Sequence, residues 1–206
     1  MDKTALYKLG YGLYVLTARE GDKDNGCIIN TAIQVASDPL RIAISVINAN
    51  YTCDMIKRTG QFNISCLTQS APFGTFSHFG FSSGRDTDKF ADWSGAQRAE
   101  NGILYVSDNT NGYLSCRVLS STDLGSHTLF VAELTDAAVL SDEISVTYAY
   151  YQSDIKPKPR PKTQKKVVYI CKVCGYVYEG DQLPEDFICP LCHHTADDFE
   201  RVELDG

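Results

Sequence analysis

Two closely spaced cysteine pairs near the C-terminal end constrain the fold more than any other feature of the sequence. Cys171 and Cys174 form one pair and Cys189 and Cys192 the other, so the pattern is C-x2-C-x14-C-x2-C. Two such pairs at this separation are typical of tetrahedral metal sites with four thiolate ligands. Four thiolates favour iron or zinc, and the spacing alone does not distinguish the two metals. We therefore predict one metal ion bound by these cysteines.

The length of the surrounding segment supports the same prediction. Residues 167–206 number 40, and a domain of that size rarely buries enough apolar surface to fold without a metal or disulfides. Gly175 follows the first pair and suits the left-handed turn that brings backbone N–H groups towards sulfur. Aromatic side chains are expected to form the apolar shell of the site, namely Tyr169, Tyr176, Phe187 and Phe199.

The other four of the eight cysteines are spread singly, at Cys27, Cys53, Cys66 and Cys116. An even number of cysteines would suit a disulfide framework, but such frameworks belong to small secreted domains. The sequence begins without the apolar core of an export signal, so we expect a reducing, cytoplasmic location. We predict that the scattered cysteines are buried free thiols that behave as small hydrophobic residues.

Charge divides the 206 residues into three segments. Residues 1–154 and 167–206 are both acidic, whereas residues 155–166 carry six basic side chains and no acidic one. Prolines alternate with these basic residues and favour an extended polyproline conformation. We predict two domains, 1–154 and 167–206, joined by the linker 155–166. This linker is a solvated spacer or an electrostatic contact for an acidic face.

The net charge of −7 and the apolar pattern exclude two classes of partner. An acidic surface is unsuited to nucleic acid, which binds proteins largely through its phosphates. The sequence contains no run of about 18 apolar residues, so no membrane-spanning segment is predicted.

Short stretches of alternating apolar and polar residues fill the first 154 residues and predict a mainly β domain, either a barrel or a sandwich. One helix is predicted over 52–59, with Thr52 as its N-cap and Gly60 as its stop. The glycine-rich motifs of Rossmann domains and P-loops are absent. The clearest predicted strands are 12–17, 26–30, 41–46, 112–118 and 128–134.

Polar side chains cluster where two of these strands end. Asn30 and Thr31 follow one strand, and the run 45–52 leads from another into the predicted helix. Hydroxyl and amide groups beside a helix N-terminus suit a phosphate group. The same residue types are common in ordinary turns, so both interpretations stay open.

The cysteine-rich segment resembles the rubredoxin family. The matching runs are Y-x-C-x-x-C-G-Y, L-P-E-D-F-x-C-P-x-C and D-D-F-E, within residues 167–202. The resemblance implies one iron ion in the four-cysteine site and transfer of single electrons. His193 stands where the second pair is usually followed by glycine, which is expected to alter a backbone N–H contact to sulfur. A zinc ribbon is the alternative.

Residues 5–154 resemble the flavin reductase-like family. The matching runs include G-L-Y-V-L-T-A, G-C-I-I-N-T, S-D-P-L-R-I-A-I-S-V, G-Q-F-N-I-S and G-S-H-T-L-F-V-A-E-L. The resemblance implies a split β-barrel, a homodimer and FMN bound near the subunit interface. Carried over position by position, the flavin-binding residues are Asn30, Thr31 and Ala32 at the flavin and phosphate, Ser45, Val46 and Ile47 along the isoalloxazine, and Asn50, Tyr51 and Thr52 at the ribityl phosphate.

Two further features take their meaning from this resemblance. His127 occupies a position that lies near the nicotinamide in some family members and is the candidate catalytic residue. A structural role at the start of a strand is the alternative.

Residues 73–90 interrupt the strand pattern with five phenylalanines. They are expected to form an ordered insertion over the flavin edge or the dimer contact, or else a docking surface for the C-terminal domain.

The combination of the two domains resembles the high molecular weight rubredoxins. It implies transfer of electrons from NAD(P)H, directly or through an NADH-dependent reductase, by way of FMN and iron to an acceptor. The implied acceptor is a flavodiiron protein that reduces nitric oxide or oxygen. The alternatives are an NAD(P)H:flavin reductase with an auxiliary metal domain and a non-catalytic zinc-ribbon binding module.

Overall fold

The computed structural model describes residues 1–158, 166–180 and 182–204 and divides the chain into two compact units, Met1–Pro157 and Lys158–Gly206. Most of the predicted linker, residues 159–165, lies outside the described residues. Each unit is therefore described by itself.

The first unit is built on one antiparallel sheet of seven strands. The strands follow the order β2-β1-β5-β8-β9-β4-β3 across the sheet, which leaves β2 and β3 at its edges. The long strands β8 and β9 shift register twice where they pair, and such bulges bend a sheet. Their bounds are β1 Tyr14–Glu20, β2 Lys23–Ile29, β3 Ala32–Ser37, β4 Leu40–Ile47, β5 Gln61–Leu67, β8 Thr110–Asp123 and β9 His127–Val139. Two short strands, β6 Ala96–Arg98 and β7 Leu104–Val106, pair separately.

Alternation along the strands divides the interior of this unit into two apolar clusters. On β1, Leu16 and Ala18 pack into the first cluster, while Val15 points to the opposite face and joins the second. The first cluster lies between the sheet and helix α1, which spans Tyr51–Thr59. The seven-stranded sheet confirms the prediction of a mainly β domain, and the burial of both faces of β1 shows that a second layer covers the sheet.

Helix α1 begins one residue earlier than predicted. Asn50 is its N-cap, because the Asn50 side chain accepts a hydrogen bond from the backbone N–H of Thr52 at 3.0 Å. The prediction of Thr52 as the cap was wrong, since Thr52 lies inside the helix and is fully buried. Gly60 ends the helix in the left-handed conformation, as predicted.

The insertion over residues 73–90 is ordered and supplies the second layer. It opens with helix α2, Phe73–Gly80, whose Phe76 and Phe79 are buried in the second cluster. The ammonium group of Lys89 is also buried and donates to the backbone oxygens of Gly26 and Phe79 at 2.9 and 2.8 Å. This side chain fastens the insertion to β2.

The last element of the first unit is a short helix. It consists of α3, Tyr148–Tyr150, followed by a π-helical turn over Tyr151–Ile155. A 3-10 helix, Lys3–Lys8, begins the chain. Within the described residues no helix combines the length and the apolar character needed to cross a membrane.

The second unit is a three-stranded antiparallel sheet in the order β11-β10-β12. The strands are β10 Lys166–Cys171, β11 Val177–Glu179 and β12 Phe199–Leu204, with a 3-10 turn over Ala196–Asp198. Its apolar cluster surrounds Cys171 and Cys189 and includes all four predicted aromatic residues, Tyr169, Tyr176, Phe187 and Phe199.

Candidate cofactor and metal sites

The sulfur atoms of Cys171, Cys174, Cys189 and Cys192 lie within 4.8 Å of one another. The Sγ atoms of Cys171 and Cys192 are 3.6 Å apart, and those of Cys174 and Cys189 are 3.5 Å apart. A tetrahedral ion with metal–sulfur bonds of about 2.3 Å requires sulfur separations of about 3.8 Å. The four thiols therefore fit one thiophilic metal ion.

The two cysteine pairs adopt nearly the same backbone turn. In the first, the N–H of Gly175 donates to the oxygen of Cys171 at 2.8 Å, and in the second the N–H of His193 donates to the oxygen of Cys189 at 2.9 Å. Gly175 and His193 both have positive φ, 76° and 59°. The N–H of Tyr176 donates to the Cys174 sulfur, and that of His194 to the Cys192 sulfur. His193 thus keeps the pattern that glycine gives, and the expected change in an N–H contact to sulfur was wrong.

Backbone N–H groups also change the pKa of Cys189, the buried first cysteine of the second pair. Burial raises the pKa of Cys189, but the N–H groups of Cys192 and Leu191 donate to its sulfur, and the resulting pKa is lowered to about 7. The N–H of His194 lowers the pKa of Cys192, but burial and the neighbouring thiols outweigh it and raise that pKa to about 12. A thiolate is the form that binds metal. The first cysteine of each pair is buried, whereas Cys174 is exposed and Cys192 is half-buried. One edge of the cluster therefore faces solvent.

A cavity of about 160 Å³ in the first unit brings together most of the residues predicted to bind flavin. Antiparallel pairing of β4 and β9 places Ile47 opposite His127 and Val46 opposite Thr128. Polar and apolar surface contribute equally to the cavity lining, and the polar groups come from three strand ends. Six of the predicted site residues line it, namely Asn30, Ser45, Val46, Ile47, Asn50 and His127, together with Leu13, Ile28, Ile29 and Tyr148.

A larger cleft of about 860 Å³ continues from this cavity and shares Leu13, Asn30 and Tyr148 with it. Thr31 and Ala32, the remaining predicted residues of the β2–β3 connection, line the cleft. The hydroxyl of Thr31 donates to Asn30 Oδ1 at 3.0 Å. Cofactor pockets usually measure about 300–1,000 Å³, so the cavity alone is too small for a flavin and the two spaces together suffice.

Two predicted residues lie elsewhere. Thr52 does not line either space, because it is fully buried and its hydroxyl accepts a hydrogen bond from Asn25 Nδ2 at 2.9 Å. The ring of Tyr51 makes two cation–π contacts, with Lys23 Nζ and the Arg85 guanidinium 4.8 and 4.9 Å from its centroid. Both positions follow from Asn50 being the cap, since the helix turns the next two side chains away from the cavity.

His127 begins β9 and is half-buried at the cavity wall. Its Nδ1 lies 2.8 Å from the hydroxyl of Ser126. Within the described residues, Nε2 has no hydrogen-bond partner in the protein. Nε2 is therefore the ring nitrogen that is free to bond to a ligand.

The sequence interpretation missed Tyr148 as a site residue. Tyr148 lines the cavity, the larger cleft and two neighbouring pockets, and its backbone N–H donates to the oxygen of Tyr11 at 2.8 Å. The signal was present in the tyrosine-rich run 147–151. This run was interpreted only as the end of the barrel, because no local pattern shows against which strands the end of a domain packs.

The four scattered cysteines are free thiols, as predicted. Cys27, Cys53 and Cys116 are buried in the first apolar cluster, and Cys66 is half-buried. Burial raises the pKa of Cys27 and Cys66 to about 11 and that of Cys116 to about 12. These thiols therefore stay protonated and unreactive at neutral pH.

Two family models match the chain. A flavin reductase-like domain matches residues 6–158, and the rubredoxin-like domain of rubrerythrin matches residues 169–200. The high molecular weight rubredoxin of Moorella thermoacetica is 37% identical over 98% of this chain and 100% of its own length. The ferric-chelate reductase (NAD(P)H) of Archaeoglobus fulgidus is 35% identical over 79% of this chain and 96% of its own length.

Solved structures agree on the fold of the first unit. The NADH:FAD oxidoreductase of Streptomyces globisporus matches with a TM-score of 0.62 and 19% identity, over 71% of this chain and 88% of its own. The domain pair, the four-cysteine cluster and the similarity across nearly the whole length identify a flavin-dependent oxidoreductase or electron carrier. The chain belongs to the high molecular weight rubredoxin family, in which a flavin reductase-like domain is joined to a rubredoxin-like domain.

Proposed function

We propose that this protein takes electrons from NAD(P)H, directly or through a reductase, and passes them singly to an acceptor protein by way of FMN and one iron ion. A flavin exchanges electrons in pairs or singly, whereas an iron bound by four thiolates exchanges one. The flavodiiron proteins that reduce nitric oxide or oxygen are the proposed acceptors. The observation that carries this proposal is the four-cysteine cluster on a chain whose other unit is a flavin reductase-like domain.

The residues of the first unit have separate proposed tasks. Apolar side chains of β4 and Leu13 exclude water from the cavity, while Ser45 and Asn30 offer polar groups to the edge of a ring system. Asn50 lies at the N-terminus of α1, where a phosphate is favoured by the helix dipole. His127 Nε2 contacts the nicotinamide side.

The residues of the second unit bind and tune the iron. Cys171, Cys174, Cys189 and Cys192 are the proposed ligands, and the N–H groups of the two turns stabilise negative charge on sulfur. Because Cys174 is exposed, the proposed exit for the electron is the solvent-facing edge of the cluster.

Rapid anaerobic mixing with NADH tests the transfer. In the full chain, the flavin band should bleach first and the iron band should follow. Cys171→Ser removes a ligand and should abolish iron reduction and acceptor turnover while the flavin still bleaches. Cys116→Ala, which removes a thiol far along the sequence from the cluster, should leave both steps in place. Bleaching of flavin with an iron band that never responds would contradict the proposal.

A second candidate function is favoured by the similarity to a ferric-chelate reductase. In that case flavin or a ferric chelate is the substrate and the metal unit is auxiliary. The Cys171→Ser variant separates the two functions. Acceptor turnover that survives the loss of metal would favour a reductase of this kind.

A homodimer belongs to the proposal because β3 is an open edge of the sheet. Ile33 and Val35 on β3 are 59% and 48% exposed, and Ile33 also lines the larger cleft. An exposed apolar edge strand is usually covered in the native assembly. Light scattering should give twice the chain mass for the wild type and the chain mass for Val35→Lys, whereas a monomeric wild type would rule this arrangement out.

A further inference from the structure

We propose that Asn48 is the positioning residue that holds His127 at the cavity. This role depends on the function proposed above for His127. Asn48 lies between β4 and α1, and His127 follows the tight turn 124–126 that joins β8 to β9. The two residues are far apart in sequence, and the pairing of Ile47 on β4 with His127 on β9 brings them close together.

Hydrogen bonds from Asn48 reach both sides of this turn. Its backbone N–H donates to the oxygen of Ser126 at 3.0 Å. Its side-chain Nδ2 donates to the oxygen of Gly125 at 2.8 Å and to Asp123 Oδ1 at 3.2 Å. On the other side of the amide, Oδ1 accepts from the hydroxyl of Thr128 at 2.5 Å. Asn48 thus bonds to four of the residues that surround His127 in sequence.

The amide is itself held in place. Lys57 on α1 donates to Asn48 Oδ1 at 3.3 Å, so both the oxygen and the nitrogen of the amide have partners. Gly125 has a φ of 86°, and the carboxylate of Asp123 accepts from its N–H at 2.8 Å. The turn is therefore fastened from within by Asp123 and from β4 by Asn48.

The consequence reaches the ring of His127 through Ser126. When the Ser126 hydroxyl donates to Nδ1, the neutral ring carries its proton on Nε2 and can donate to an oxygen in the cavity. This tautomer requires Ser126 and His127 to keep their relative position. A turn released from Asn48 would let the ring rotate and would mix the two tautomers.

Substitution of Asn48 tests the proposal in the flavin-loaded full chain. Asn48→Ala should slow flavin reduction by NADH about ten- to hundredfold, the size expected for a misplaced reacting group. Asn48→Asp keeps an acceptor for Thr128 and Lys57 but loses the donors to Gly125 and Asp123, so it should be similarly slow. Asn111→Ala, which removes an asparagine that bonds to Glu143 and Ser145 instead, is the matched control and should keep the wild-type rate.

A double-mutant cycle separates positioning from a general loss of structure. If Asn48 acts through His127, adding Asn48→Ala to His127→Ala should slow the reaction no further. Fully additive effects would overturn the proposal. If His127→Ala alone keeps the wild-type rate, the proposed function of His127 fails, and the tautomer of the His127 ring then decides whether Asn48 holds it in place.

Nitrogen NMR of the histidine rings gives a readout that does not depend on turnover. The protein has four histidines, so the His127 signals can be assigned by substitution. The wild type should show one neutral tautomer with the proton on Nε2, and Asn48→Ala should show a mixture. The same single tautomer in both proteins would overturn the proposal whatever the rates are.

Discussion

A single residue, His193, shows that the backbone conformation of the cysteine turns is kept even where it is unfavourable for the side chain. The residue has a φ of 59° in the turn where Gly175 has a φ of 76° in the other pair. A side chain in this region costs about 1–2 kcal/mol, because Cβ approaches the backbone. The turn adopts this conformation despite the strain, and the N–H contacts to sulfur are retained.

Substitutions at the positive-φ positions of these two turns give a matched pair of predictions. His193→Gly should raise the free energy of unfolding of the metal-loaded unit by about 1 kcal/mol. Gly175→Ala should lower it by a similar amount, about 1 kcal/mol, since the added Cβ meets open space and only the backbone is strained. Denaturant unfolding followed at the metal band measures both. Destabilisation by His193→Gly would mean that the imidazole makes a contact the unit needs.

Tyr148 gives a second prediction at this scale. Removing the ring with Tyr148→Ala should weaken flavin binding about tenfold, because one apolar wall of the cavity is lost. Tyr148→Phe keeps the wall and should bind like the wild type. Flavin fluorescence titration measures both constants. Equal weakening by the two variants would assign the effect to the hydroxyl group instead.

Single residues also mark the limit of what the sequence predicts. The clustering of the four proposed cysteine ligands was predictable, since their spacing within a short segment is a local property. The family resemblance assigned Thr31 and Ala32 to the flavin site, and the structure puts them at the cleft. The position of the Thr52 side chain was not predictable, because the choice of Asn50 as N-cap decides which way the next side chains point. Both residues can cap a helix, and only the packing of α1 selects one.

At the scale of elements, the insertion illustrates the same limit. The sequence predicts an ordered segment with many phenylalanines but leaves open whether it covers the flavin edge or the dimer contact or forms a docking surface for the C-terminal domain. Phe76 and Phe79 pack on the outer face of β1, and Phe76 also borders a pocket next to the cavity. Strand alternation marks one face of β1 as buried, whereas burial of its other face depends on contacts distant in sequence.

Lys89 makes the attachment of this element testable. Lys89→Ala should lower the free energy of unfolding of the first unit by about 2–4 kcal/mol, because two buried carbonyl groups lose their donor and the stem leaves a void. Lys8→Ala, at an exposed position, should change it by less than about 0.5 kcal/mol. Urea unfolding at constant pH makes the comparison. A wild-type value for Lys89→Ala would show that the phenylalanines alone hold the insertion.

At the scale of the whole molecule, the sequence already indicated two centres of different chemistry. The mainly β fold and the four-cysteine cluster agree with that prediction. Both features were predictable because the spacing of the cysteines and the alternation along strands are short-range patterns. The cavity, in contrast, is assembled from β2, β4, β9 and α3, which no short-range pattern brings together.

The number of electrons that the chain accepts tests the central claim most directly. An anaerobic reductive titration, with metal content measured on the same sample, should take up about three electrons per chain, two at the flavin and one at the iron. Both visible bands should respond. Uptake of about two electrons by a chain that contains zinc would contradict the claim that iron receives electrons from the flavin.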